Sequence, residues 1–140
     1  MIESKIIEAL QKQAIKTVDD NKCIKCLNVN YNPPSNKRWW EVLYFPNNYE
    51  NEYWDKGKTY RGIFRLILHW PQKNEGVYKP MEEVERVAKG FEKGNILTDD
   101  MDNVKVQITD NPDVTSIIEE ESGLLIGLTI VLGTIPFLLL

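Results

Sequence analysis

The last eighteen residues, GLLIGLTIVLGTIPFLLL at 123–140, contain no charge, and any fold of this chain has to accommodate them. As a helix they would span about 27 Å at about 1.5 Å per residue, just under the roughly 30 Å hydrocarbon core of a bilayer. Length permits a membrane span, but the flanks offer little to hold one. No Lys or Arg adjoins the segment, no Trp or Tyr belts it, and its charged neighbours are Glu119, Glu120 and Glu121. Its internal pattern is more informative. Leu124, Ile126, Leu128, Ile130 and Leu132 share one parity and are all large, whereas Leu125, Gly127, Thr129, Val131 and Gly133 share the other and are mostly small. Lipid has no reason to sort side chains with period two; a strand buried on one face and closely covered on the other does.

The segment therefore reads as a final strand. Gly133 and Thr134 shift the pattern, and Ile135, Phe137 and Leu139 carry it across Pro136, which lacks a ladder donor. The strand is expected to bend or change partners there. So apolar a strand cannot be a bare edge, because unpaired edges recruit other chains, so it is central in its sheet or covered by another subunit. The alternative is a tail-anchored membrane protein with a small cytosolic domain, for which Gly123 and Gly127 supply a weak GxxxG spacing.

The other segments supply helices and strands around it. Ile2, Ile6, Leu10, Ala14 and Val18 form a stripe at near-fourfold spacing, predicting an amphipathic helix that DDNK at 19–22 ends. In KCIKCLNVNYNPP, Ile24, Cys26 and Leu27 suggest a strand stopped by Pro33 and Pro34. KRWWEVLYFPNN reads as an aromatic strand followed by a turn, and TYRGIFRLILHW, 59–70, as the strongest strand of the chain. In the latter, Tyr60, Phe64, Leu66, Leu68 and Trp70 point one way. Thr59, Arg61, Arg65 and His69 share the other face with Ile63 and Ile67.

A second helix begins near Pro80, with Glu82 and Glu83 at its positive end, and Met81, Val84, Ala88 and Phe91 along its apolar stripe. Gly94 suits a left-handed cap, and Gly90 marks a place where a neighbouring backbone comes close. NVKVQITDNP is a strand with Val104, Val106 and Ile108 inward, and DVTSIIEEES is a shorter strand candidate. The sum is an α+β fold, a mostly antiparallel sheet packed against two helices, as a single domain spanning 1–140.

Candidate chemistry is sparse. Cys23 and Cys26 have zinc-knuckle spacing, but no second Cys pair exists and the only histidine, His69, lies in an apolar run, so a four-ligand site cannot close within one chain. The pair reads as two strand residues in a reducing compartment, and a metal or redox role for them is the minor reading. No nucleophile–base motif accompanies His69, and no metal, cofactor or catalytic site is expected. A formal net charge of −4 disfavours wrapping of nucleic acid. The N-terminus, broken by Glu3, Lys5, Glu8 and Lys12, lacks a secretory apolar core, and a cytoplasmic product is expected. The clearest contact surface is the polar loop YENEYWDKGK, 49–58, where Tyr49, Tyr53 and Trp54 are candidate anchors, joined by Arg61 and Arg65 on the following strand.

These segments together resemble the tail terminator, or tail completion, proteins of long-tailed bacteriophages. The resemblance is carried by N-V-x-[YF]-x-P-P at Asn28 to Pro34, an aromatic strand closing in FP at Leu43 to Pro46, [YF]-x-G-x-[FY]-x-[VL] at Tyr60 to Leu66, and F-x-[KR]-G at Phe91 to Gly94. It covers most of the chain in order, and the last segment is more hydrophobic than the family pattern requires. It implies a non-enzymatic virion protein: a hexameric ring at the head-proximal end of the tail, assembled in the host cytoplasm. Such a ring caps the tail tube, ends its polymerisation and offers a surface to the head-tail connector or stopper protein. Implied partners are the chain itself, the tail tube protein and DNA passing through the lumen without specific binding, with no membrane. A mildly acidic protein suits such a channel.

Overall fold

A computed structural model describes residues 2–19, 22–34, 36–47, 60–71, 76–101 and 104–135. Helix α1 (Ile2–Val18) opens the chain and buries Ile6, Leu10, Ala14 and Val18 on the expected stripe, with Ala9 beside them. Asp19, in the left-handed region at φ 59°, closes it with an N–H bond to the Ile15 carbonyl. Strands β1 (Ile24–Lys25), β2 (Trp39–Pro46) and β3 (Arg61–Pro71) follow. Helix α2 (Tyr78–Ala88) then tightens into a 3₁₀ turn at Lys89–Phe91. Strands β4 (Ile96–Thr98), β5 (Lys105–Ile108), β6 (Asp113–Glu120) and β7 (Gly123–Thr134) complete the order.

The strands form one curled, mixed sheet ordered β1-β2-β3-β7-β5-β4, with β6 also on β7. The apolar terminal segment is indeed a strand from Gly123 to Thr134, and it is central. One edge pairs with β3, from Pro71 opposite Gly123 to Arg61 opposite Gly133. The other edge pairs with β6 as far as Thr129, then with β5 from Leu132 to Thr134. The Ile135 N–H still donates to the Lys105 carbonyl. The strand thus changes partners along one edge, and residues 136–140 lie outside the described residues. Among the described residues no helix is long and apolar enough to cross a membrane, so the tail-anchor reading loses its helix over 123–134.

Side-chain parity decides which face of the sheet the helices cover. Ile126, Leu128, Ile130 and Leu132 of β7, with Phe64, Leu66 and Leu68 of β3 and Trp40 and Val42 of β2, are buried beneath α1 and α2. Each such aliphatic side chain contributes about 1.5–3 kcal/mol on leaving water. Phe91, from the 3₁₀ turn, reaches the sheet and meets the Phe64 ring at 5.9 Å. Val104, Val106 and Ile108 extend the core along β5, whose Gln107 faces water.

Several local expectations need correcting. The strand anticipated through KCIKCLNVNYNPP, stopped by Pro33 and Pro34, is only two residues long, because the chain turns at Asn28, which adopts φ 57°; Cys23 and Cys26 flank it. It also runs parallel to β2, so the sheet contains one parallel pair among the described residues. Helix α2 starts at Tyr78, which places Glu82 and Glu83 beyond its first turn rather than at its positive end. Gly94 is left-handed as expected, at φ 94°. The close neighbour of Gly90 is a side chain, Thr17 of α1, into which a Cβ would run, and not a backbone. The Gly90 carbonyl in turn accepts from Gln13 Nε2 at 2.9 Å, so the glycine lets the two helices meet. Strand β4 has no counterpart in the sequence reading, and β6 is a full eight-residue strand with a bulge between Val114 and Ser116.

Candidate assembly interface

The sheet face opposite the helices carries the other parity of β2, β3 and β7. Register places Phe45, Ile63 and Val131 in one row across it, then Leu43, Arg65 and Thr129, then Glu41, Ile67 and Gly127, then Trp39, His69 and Leu125. Apart from the buried Gly127 and the exposed Phe45, these residues are half-buried, so the face is apolar with isolated polar groups, and among the described residues no helix lies above it.

Arg65 explains why position 127 of β7 is a glycine. Its guanidinium lies across Gly127, where any Cβ would collide with it and with the Ser116 hydroxyl. From there Nη2 donates to Thr115 Oγ1 at 3.3 Å and to Ser116 Oγ at 3.4 Å, tying β3 to β6 over the top of β7. Arg65 Nε is buried and finds no hydrogen-bond partner among the described residues. Arg61, one row beyond Ile63 on the same face, is exposed at the start of β3. The structure therefore brings two of the sequence candidates, Arg61 and Arg65, onto one face. Tyr49, Tyr53 and Trp54 lie outside the described residues.

His69 is held as a sheet residue. Its ring stacks on Trp39 with centroids 3.7 Å apart and planes within 5°, and Nε2 lies 3.0 Å from Glu41 Oε1. Beside it a cavity of about 250 Å³ opens between Lys37, Trp39, Trp70, Leu124 and Leu125. The two cysteines are not linked; Cys23 is buried, and burial pushes the Cys26 thiol up despite the opposing charge of Lys25. A raised thiol is a poor nucleophile and a poor metal ligand. Among the described residues no three His, Cys, Asp or Glu side chains cluster to hold a metal.

One polar cluster has no counterpart in the sequence reading. Glu83 of α2, only 9% exposed, accepts from Arg38 Nε at 2.7 Å, Arg86 Nε at 2.8 Å and the fully buried Trp40 Nε1 at 3.2 Å. Arg86 also donates to the carbonyls of Thr17 and Val18, the last residues of α1. Burial pushes the Glu83 carboxyl up, but the bonds from Arg86, Arg38 and Trp40 outweigh it and hold the group below its ordinary 4.5. The cluster pins α2 to β2 and to the end of α1. This is a fastening of the scaffold behind the open face.

Strand β6 is the most exposed element of the sheet. Ile117 and Ile118 are 53% and 50% exposed, and the turn after it adds Glu121 to Glu119 and Glu120. A family described as Phage tail terminator protein matches residues 5–131, nearly the whole chain. A solved protein structure shares the fold, with a TM-score of 0.71 at 11% identity, the match covering 96% of this chain and 93% of the other. No curated protein matches the sequence.

Proposed function

The chain belongs to the phage tail terminator protein family, a family of structural proteins of the phage tail, and from that premise we propose how it serves the virion. Acting as one domain, it assembles into a hexameric ring on the head-proximal end of the tail tube, ends the tube's polymerisation and presents the surface for head-tail joining. Its partners are further copies of itself, the tube protein and the connector or stopper protein, while DNA passes through the lumen without specific binding. It carries out no reaction. Assembly takes place in the host cytoplasm.

The observation that carries this reading is the family match across residues 5–131, which includes the scaffold and most of β7. The arrangement of the sheet supports it: an apolar face with no helix over it among the described residues, and an exposed strand, suit contacts with other proteins. Arg61 and Arg65 on that face, with Tyr49, Tyr53 and Trp54, are the proposed contact residues. Electron microscopy of the purified protein, alone and mixed with tail tubes, tests the proposal. Six-fold rings on tube ends, and tubes that stop growing when the protein is added, are expected. Tubes that elongate unhindered and carry no density at their ends would refute it.

A further inference from the structure

Strands β2, β3, β7 and β6 make a run in which every neighbouring pair is antiparallel. Among the described residues both outer edges of this run are open. β6 pairs only with β7, and β2 pairs with β1 only at Trp40 and Glu41. Alternation identifies the outward groups of β2. The Trp40 N–H donates to the Cys23 carbonyl on the β1 side, while the Asn47 N–H, of opposite parity, donates to the Arg61 carbonyl of β3. Tyr44 and Pro46 therefore turn their main-chain groups outward, and Pro46 brings no donor, as suits an edge. Phe45 is 48% exposed beside them. On β6, Ile117 and Ile118 are adjacent, so they stand on opposite faces of a strand whose edge is also bare. A strand that exposes one large apolar side chain on each face and is open along its edge is suited to recruit another strand.

We propose that the recruited strand is β2 of a second copy: the outer edge of β6 on one subunit pairs with the outer edge of β2, beyond Glu41, on the next. The sheet then continues from subunit to subunit. This rests on the ring reading and names the contact that closes the ring. The two open edges lie at opposite ends of the run, so the contact joins unlike surfaces and repeats, as a closed ring needs. Direction also fits. β2 and β7 run one way and β3 and β6 the other, so rotation about an axis along the strands sets β2 of one copy antiparallel to β6 of its neighbour. The alternation of the run passes across the contact without a fault. Charge matches as well: Asp113, Glu119, Glu120 and Glu121 are exposed along β6 and its turn, whereas Lys22, Lys25 and Lys37 surround the β1–β2 end.

Two thiol variants test it. Ile118→Cys and Phe45→Cys place one thiol each on the helix-free face of the two edges. A short bifunctional maleimide is expected to give crosslinked dimers when the variants are mixed, and no more than wild type gives when either is treated alone. Wild-type protein supplies a second readout: amides of β6 and of Tyr44 should exchange about a hundredfold more slowly in assembled than in dilute protein. Rings that form without the mixture-specific crosslink or the slowed exchange overturn the edge contact and leave the ring reading standing. Ile118→Cys linking efficiently to itself, or a crosslink formed only to another tail protein, overturns the edge contact too. A chain that stays monomeric both alone and on tube ends overturns both readings.

Discussion

Replacing Glu83 by Ala tests whether the polar cluster behind the sheet fastens the scaffold. The substitution deletes the acceptor of four hydrogen bonds, from Arg38, Trp40 and, twice, Arg86. Arg38 and Arg86 are 30% and 43% exposed and can turn toward water, so little of their loss should be counted. Trp40 is fully buried, and its indole N–H would be left without a partner at about 1–3 kcal/mol. Adding the charge-assisted component of the remaining bonds gives a total of about 3 kcal/mol. At about 2.1 cal/mol/K per residue, 140 residues have an unfolding entropy near 0.3 kcal/mol/K, so the melting temperature should fall by about 10 °C.

The same experiment has a pH signature. Because the folded carboxyl titrates below its ordinary 4.5, the unfolded state takes up its proton first as pH falls. The stabilisation is present above 4.5 and is lost as pH drops through the folded value. Thermal unfolding followed by circular dichroism should show the full gap between wild type and Glu83→Ala at pH 7, narrowing below pH 4.5. A gap under about 2 °C at pH 7, or one that does not narrow in acid, would refute the reasoning.

Ending the chain at Glu121 removes β7 and the burial of Ile126, Leu128, Ile130 and Leu132, about 6–12 kcal/mol against a typical stability of about 5–15, so no cooperative unfolding transition should survive. A shortened chain that is folded and more soluble would instead support a tail anchor. Replacing Cys23 and Cys26 together by Ser should cost about 1–2 kcal/mol, since only the buried Cys23 forces a hydroxyl into the core. Metal analysis of the wild-type protein gives the counter-test, because stoichiometric zinc would show that the pair acts as ligands.

What was legible in the sequence was the local periodicity. The helix stripe of Ile6, Leu10, Ala14 and Val18, the alternation of β3 and the parity of β7 each place a side chain by its own position in the chain, and each face is buried as the pattern says. The two-residue β1 and three-residue β4 are too short to carry a period, and Asn28 broke the anticipated strand through a single backbone angle. The contact candidates divide in the same way. Arg61 and Arg65 share a face because they share a parity, whereas the reach of Arg65 over Gly127 to Thr115 and Ser116 joins residues about fifty positions apart.

By itself, then, the sequence determined which segments are extended or helical and which face of each must leave water, because those follow from periods of 2 and 3.6 along one chain. It also required that β7 not be a bare edge. Only the tertiary structure decided that β7 lies between β3 and the pair β6 and β5, that Glu83 gathers Arg38, Arg86 and Trp40, and that β6 and β2 have open edges among the described residues. Such pairings depend on which distant segments compete for the same edge, and no local spacing of residues records that competition.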